Sequence, residues 1–325
     1  MKVSAFDGTN TTDKYISILF NETPRVKKGT FIISNSSNLS QVYFLDSFYS
    51  GSSYKTINGD YLGVAVNSHS QQLVYASKIT GSINSTDLIF GGNFWNIPIL
   101  NNSSVPFYRG FYFLEEGVYL GKNTGGIQGY DKNGNPNFHT QINTGFYMES
   151  ALIHDNRYFV AEEQHLSANT VRLLLYWIDN GVLVQQTTVN KDIKGIYSKN
   201  PSTIILLAND ASANGKVLFY DIPSGGITSP FNVSLNQIDD CLEINTGTYL
   251  VVEGGDITTV NVNSFTSAPY LTGVNANNIW YDELTNELYV ASGNSLDIYD
   301  YGTKSLKGNY VHTDIIKDVV FWYNK

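Results

Sequence analysis

This sequence is short of several things. It has one cysteine, two methionines, eight prolines and five histidines in 325 residues, and only 15% of it is charged, against an average of about 25%. A single cysteine excludes an internal disulfide framework and any metal site built on thiolates. Cys241 lies between Ile238 and Leu242, so it reads as a buried, inert thiol on a strand. There is no run of the roughly 18 apolar residues that a membrane-spanning helix needs, so membrane insertion is not expected. The opening stretch from Met1 to Gly8 lacks the apolar core of a signal peptide. The net charge is −9. That disfavours a nucleic-acid partner, and none is expected, because a basic face is needed to displace many counterions. No segment keeps a 3.6-residue apolar period over a helical length.

Aromatic residues are abundant, at 14%, with 23 Tyr and 17 Phe. Such side chains suit strands, where they pack on a pleated surface. One phrase recurs. Leu296-Asp297-Ile298-Tyr299-Asp300 matches Val217-Leu218-Phe219-Tyr220-Asp221 and, less closely, Tyr176 to Asp179, Ile127 to Asp131 and Val42 to Asp46. The closing aspartates Asp46, Asp131, Asp179, Asp221 and Asp300 are 85, 48, 42 and 79 residues apart. Two spacings are near a single period of about 42 and two near a double one, as if the second and sixth copies had lost their Asp. Repeats of roughly 40–45 residues, each holding several short strands, are propeller blades.

The expected fold is therefore all-β: a seven-bladed β-propeller with four-stranded blades. It forms a single domain over residues 1–325, with units near 14–58, 59–104, 105–142, 143–190, 191–236, 237–274 and 275–312. The second unit takes Asp87 to Phe90 as its third strand, and Asn133-Gly134 reads as a two-residue hairpin turn. After the seventh unit, Phe321-Trp322-Tyr323 repeats Ile279-Trp280-Tyr281 one period later. A closing strand over 318–323 then joins strands from the N-terminal region and removes the exposed edges of an open ring. Tyr15 to Phe20 also reads as a first strand, which leaves blade one with two candidates.

Leu288-Tyr289-Val290-Ala291 with Leu296 to Asp300 resembles the YVTN-type and NHL-type propeller repeats. Gly126 to Gln141 resembles a PQQ-type repeat, with Phe138 where that repeat carries Trp. These resemblances imply a fold and no activity.

Chemical motifs are sparse. Asp131-Lys132-Asn133-Gly134-Asn135 opens like a calcium loop, but Pro136 and Ile142 occupy the positions of its Gly and Glu. His69, His139, His154, His165 and His312 show no metal-ligand spacing, and no nucleophile elbow or phosphate-binding loop is present. One positional constellation stands out. The residues that enter each first strand crowd one mouth of a propeller channel; here these are Asp60, Arg109, Glu149, Asp192, Asp239, Asp240, Asn277 and Asp318. Glu149, Asp192, Asp239 and Asp240 are the candidates for a hard cation such as Ca²⁺; otherwise the mouth is hydrated and no cofactor is expected. Calcium-dependent lactonases and phosphotriesterases use a propeller channel in that way.

The expected function is a non-enzymatic interaction or structural module, a virion component in assembly or surface attachment, with proteins or surface glycans as partners. A surface rich in Asn, Ser, Tyr and Gly suits adaptable contacts. The alternatives are a secreted or cell-surface binding propeller and a metal-dependent hydrolase.

Overall fold

The computed structural model describes residues 2–6, 11–15, 24–36, 39–58, 61–77, 82–97, 108–114, 117–122, 126–140, 145–168, 170–230 and 235–324. These residues hold thirty strands and no helix. Strands β1 (Lys2–Phe6) and β2 (Thr11–Tyr15) pair only with each other. Next come β3 (Lys27–Ser36), β4 (Leu39–Leu45) and β5 (Gly51–Asn58). Blade 2 is β6 (Tyr61–Asn67), β7 (Gln72–Ser77), β8 (Ile83–Asp87) and β9 (Asn93–Ile97). Blade 3 is β10 (Tyr108–Leu114), β11 (Gly117–Lys122), β12 (Ile127–Tyr130) and β13 (Pro136–Thr140). Blade 4 is β14 (Phe146–His154), β15 (Tyr158–His165), β16 (Val171–Trp177) and β17 (Leu183–Thr188). Blade 5 is β18 (Asp192–Asn200), β19 (Thr203–Asn209), β20 (Gly215–Asp221) and β21 (Gly226–Thr228). Blade 6 is β22 (Ile238–Asn245), β23 (Thr248–Glu253), β24 (Asp256–Asn261) and β25 (Thr266–Leu271). Blade 7 is β26 (Asn278–Asp282), β27 (Glu287–Ser292), β28 (Ser295–Asp300) and β29 (Leu306–Val311). The last strand, β30 (Ile315–Tyr323), pairs antiparallel with β3 and completes blade 1 in the order β30-β3-β4-β5. The chain is a seven-bladed β-propeller closed by strands from both ends. The closing strand begins at Ile315, ahead of the expected 318.

β30 thus takes the first-strand place in blade 1. Tyr15 instead ends the separate β1–β2 hairpin, and residues 16–20 lie outside the described residues. The first strands of successive blades adjoin one another and form the inner wall.

The core consists of seven wedges, one between each pair of neighbouring blades. The second strands explain why. In β19, Ile204, Leu206 and Ala208 pack against blade 4, while Ile205 and Leu207 pack against blade 6. A strand covered on both faces needs a continuous apolar run instead of alternation, and Ile204–Ala208 is one. The outermost strands face solvent on one side, as the exposed pattern of β17 and β29 shows. The wedge between blades 7 and 1 is as dry as the rest: Tyr289, Ala291 and Ile298 meet Ile32, Ile316 and Val319, each at most 3% exposed.

The recurring aspartate has a physical job. It ends the third strand and accepts backbone N–H groups of the turn that follows. Asp46 Oδ1 takes the amides of Phe48 and Ser50 at 2.8 and 2.9 Å. Asp131 Oδ1 takes those of Asn133 and Asn135, both at 2.8 Å, and Asp300 Oδ1 that of Thr303 at 2.7 Å. Two expectations change here. In blade 2 the third strand ends at Asp87, whose Oδ1 accepts from Ile89 and Phe90 at 2.7 and 2.8 Å. Asp87 to Phe90 is therefore the turn, and this copy has kept its Asp. In blade 4 the equivalent position is Trp177, whose amide bonds the Val182 carbonyl across the turn. Asp179 sits inside that turn, and Asn180 Oδ1 does the capping on Val182 at 2.9 Å. In blade 6 Asn261 replaces Asp and accepts from Asn263 and Ser264.

Each of these seven turns closes on a left-handed residue: Tyr49, Gly91, Gly134, Gly181, Gly225, Phe265 and Lys304. At Asn133-Gly134 only the glycine is left-handed, with φ +81°, and its amide bonds the Asp131 carbonyl at 3.0 Å. The loop is thus three residues long, a turn followed by a glycine bulge, and not the two-residue type. Its side-chain oxygens are spent on holding the turn: Asn135 Nδ2 also donates to Asp131 Oδ2 at 3.1 Å.

Candidate functional site: the channel mouth

The inner wall carries a second repeat, one that lies in the pairing register. Near its start each first strand holds one residue that the second strand does not match. These unmatched residues are Leu62, Arg109, Glu149, Lys194, Asp239 and Lys317. In blade 7 Asn277 takes the same place, its amide bonding the Ala291 carbonyl at 2.7 Å in front of the matched pair Asn278–Ala291. A bulge bends the strand and re-aims a side chain. Six bulges, with Asn277 ahead of the seventh strand, therefore mark the same end of the seven first strands. Arg109, Glu149, Asp239, Asn277 and Lys317 are exposed; Leu62 and Lys194 are half-buried.

The residue after each bulge is short: Gly63, Gly110, Ser150, Gly195, Asp240, Asn278 and Asp318. The reason is close approach of the next inner strand. A Cβ on Gly110 would stand 2.6 Å from the Met148 carbonyl oxygen, and one on Gly195 would stand 2.7 Å from Cys241 Sγ. Backbone cannot yield as a side chain can. Gly110→Ala should therefore destabilise by roughly 1–3 kcal/mol, the usual cost of overpacking, and thermal denaturation should show a lowered Tm with the cooperative transition kept.

These positions settle where the expected mouth residues lie. Asp60 is outside the described residues. Arg109, Glu149 and Asp239 occupy bulges, and Asn277 stands just ahead of β26. Asp240 and Asp318 follow them and are spent on neighbouring blades. Asp240 Oδ2 accepts from the Ile279 amide of blade 7 at 2.8 Å and its Oδ1 from Cys241 at 2.8 Å; burial pushes this carboxyl up to about 6. Asp318 Oδ1 accepts from Trp280 Nε1 at 3.0 Å, across the closing joint. Asp192 precedes its bulge and pairs with Lys194 at 3.0 Å.

The sequence reading missed two bases at bulge level, Lys194 and Lys317. Around the ring, from blade 3 to blade 6, the bulges read Arg109, Glu149, Lys194, Asp239. Opposite charges alternate, so neighbouring bases offset the carboxylates. Among the described residues no three of His, Cys, Asp and Glu come together as a possible metal-binding group. The short residue after each bulge was the signal in the sequence that could have aligned all seven positions.

Behind the mouth a polar chain leads into blade 4 and ends on the buried Glu162. Arg109 stands over the Tyr147 ring at 4.7 Å. Tyr147 donates to Gln164 Oε1 at 3.2 Å, and Gln164 Nε2 donates to Glu162 Oε1 at 3.2 Å. Ser150 donates to Glu162 Oε2 at 2.6 Å. Burial pushes the Glu162 carboxyl up to about 7 against these hydrogen bonds. Burial also lifts Glu163 to about 7, although Arg172 is bonded to it at 3.3 Å. Cys241 is buried as expected, and burial pushes its thiol up to about 12.

No protein-family model matches the sequence, and no curated protein does either. Solved structures do match in fold. A functionally unknown protein from Desulfotomaculum acetoxidans superposes with a TM-score of 0.62 at 14% identity, over 90% of this chain and 98% of that one. BamB from Moraxella catarrhalis gives 0.53 at 13% identity, over 90% and 92%. The WD40 β-propeller domain of Doa1 gives 0.57 at 12% identity, over 81% and 86%. At such identities the likeness speaks for the fold alone. No helix among the described residues is long and apolar enough to cross a membrane.

Proposed function

We propose that this chain is a non-enzymatic interaction module that binds other proteins through the rim of the ring, with residues 1–325 acting as one propeller domain. The observation that carries this reading is a pair of turns on adjacent blades. Phe48 and Phe90 are 87% and 86% exposed, and Ile89 beside Phe90 is 62% exposed. Nothing in the ring requires large apolar groups there. The turns are held rigid by Asp46 and Asp87, so the rings are presented at little cost in entropy. Rigid aromatic anchors are the usual hot spots of protein interfaces.

The finer reading is a virion or extracellular protein in assembly or attachment. The low charge content and the abundance of Tyr, Asn and Ser support it, since such surfaces make adaptable contacts. The alternating charges of the mouth weigh against a hydrolase built on a divalent cation, because such an ion needs carboxylates that no base offsets.

The test is site-specific photo-crosslinking. A benzoylphenylalanine placed at Phe48 or at Phe90 in the producing organism should yield discrete protein adducts, while one at Thr303, on the matching turn of blade 7, should yield none. Equal labelling at all three positions, or none at the first two, contradicts the reading.

A further inference from the structure

A second polar feature lies beside the mouth, in the cleft between blades 4 and 5. Its volume is about 370 Å³, within the range of small-molecule sites. Three segments shape it: the turn between β15 and β16, the link from blade 4 to blade 5, and the turn between β19 and β20. Side chains hold backbone amides in both turns. His165 Nδ1 accepts from the amides of Ser167 and Ala168 at 3.1 and 3.0 Å. Asp210 Oδ1 accepts from those of Ser212 and Asn214 at 2.9 and 3.0 Å. The link is pinned by the Asn190 amide on the Val171 carbonyl and by Asn190's left-handed backbone, with φ +51°.

The cleft also has unspent hydrogen-bonding capacity. The side chains of Thr170, Asn190 and Lys191 line it and have no hydrogen bond or ion pair among the described residues. Asp192 uses Oδ2 for Lys194 and Asn209 and leaves Oδ1 unbonded among them. Gln164, also in the lining, is the link between Tyr147 and the buried Glu162. The cleft is therefore connected through the Gln164–Tyr147 hydrogen bond to the ring over which Arg109 stands.

We infer that this cleft binds a neutral, hydroxyl-rich ligand, that is, a saccharide unit. The argument is one of charge and hydrogen-bond type. A multiply charged anion would face Asp192 and Asp210, and a cation would face Lys191. A vicinal diol meets both signs: one hydroxyl donates to Asp192 Oδ1, while its neighbour accepts from Lys191 Nζ or from Asn190 Nδ2. Thr170 adds a group that can donate or accept. The volume admits one or two sugar rings. This site is separate from the Phe48 and Phe90 surface, so either can fail alone.

The experiment is saturation-transfer NMR on the full chain with glucose, galactose, mannose, N-acetylglucosamine and lactose, each at millimolar concentration. Acetate and inorganic phosphate serve as anionic probes. At least one sugar should bind. An Asn190→Ala, Lys191→Ala double variant should weaken it by about tenfold, the size of one or two lost hydrogen bonds, while Thr303→Ala leaves it unchanged. Matching far-UV spectra and melting of the variants keep folding out of the comparison. Absence of binding by every sugar, binding that the double variant leaves intact, or displacement of the sugar by phosphate or acetate overturns the assignment.

Discussion

Removing residues 315–325 should abolish the cooperative fold. The truncation strips β30 from β3 along its whole length, from Lys27–Tyr323 to Asn35–Ile315. It uncovers Phe31, Ile32 and Ile33, all of which are fully buried. It also deletes Trp322, which stacks near Phe31 with ring centres 6.1 Å apart and donates Nε1 to Gln71 Oε1 at 2.8 Å. Phe321 leaves Tyr289, its ring neighbour at 5.1 Å. Each large aromatic lost from a core costs ~3–5 kcal/mol, and a whole domain is stable by only ~5–15 kcal/mol. The sum of such losses exceeds what one blade interface can give up. The ten-residue strand β3 would further become a bare edge, open to pairing with other chains. The expected outcome is aggregated or unfolded protein. The milder Trp322→Ala should fold and lose about 3 kcal/mol, which a denaturant titration measures. A truncated chain that melts with the parent would reduce β30 to an ornament.

The second large effect is in pH. The joint between blades 7 and 1 is locked by an ionic cluster around Lys27. Its ammonium lies 2.8 Å from Asp282 and 3.2 Å from Glu287. Glu287 also takes Lys307 at 2.5 Å and the Tyr49 hydroxyl at 2.9 Å, and Asp282 takes Tyr323 of the closing strand at 2.7 Å. Burial pushes Glu287 up, but Lys307, Lys27, Thr285 and Tyr49 outweigh it and hold the carboxyl down at about 2. Asp282 is likewise lowered, with burial outweighed by Lys27, Thr285 and Tyr323. A folded-state value below the unfolded one means stability that is present above the ordinary carboxylate range and lost as pH falls toward about 2.

Glu162 and Glu163 act in the opposite sense. Their folded values of about 7 exceed the unfolded ones. The folded state therefore holds more protons between the two values, and stability falls as pH rises through that window. The melting temperature should peak near about pH 5 and decline on both sides. Glu162→Gln should flatten the alkaline limb. Lys27→Met should cost ~3–5 kcal/mol near neutrality, because it leaves the buried Asp282 without the ammonium it pairs with and Glu287 with Lys307 alone. Melting curves of the parent and both variants from about pH 3 to about pH 8 check this. A flat profile in the parent contradicts it.

The sequence displayed the repeat where side-chain chemistry recurs. Tyr-Asp endings were visible because the Asp is required to hold a turn, and the pairing of Trp280 with Trp322 exposed the closing strand one period on. The register slipped where chemistry was shared out differently. Asp-Leu-Ile-Phe at 87–90 looks like a strand because three apolar residues follow one another there, of which the turn buries Leu88 and holds Ile89 and Phe90 out to solvent. Asp179 looks like a strand end because Asn180, one residue on, took over the capping. The outer strands were poorly legible because one face meets water, so Asn93–Ile97 and Gly226–Thr228 carry little apolar pattern. The mouth was half legible. Its charged residues could be placed at the strand starts, but a bulge is a property of two paired strands. Which residue is left unmatched, and so the alternation of Arg109, Glu149, Lys194 and Asp239, emerges only from the pairing.

The account stands on a ring that the last strand closes. Native-state hydrogen exchange of the β30 amides measures that most directly. If β30 is the inner strand of blade 1, those of its amides between Val319 and Trp322 that point to β3, which are every second one, should be protected to the level of Leu206 and Leu250 in the buried second strands of blades 5 and 6. Exchange of those amides at the rate of a free chain end, with Leu206 and Leu250 still protected, would contradict the closed ring.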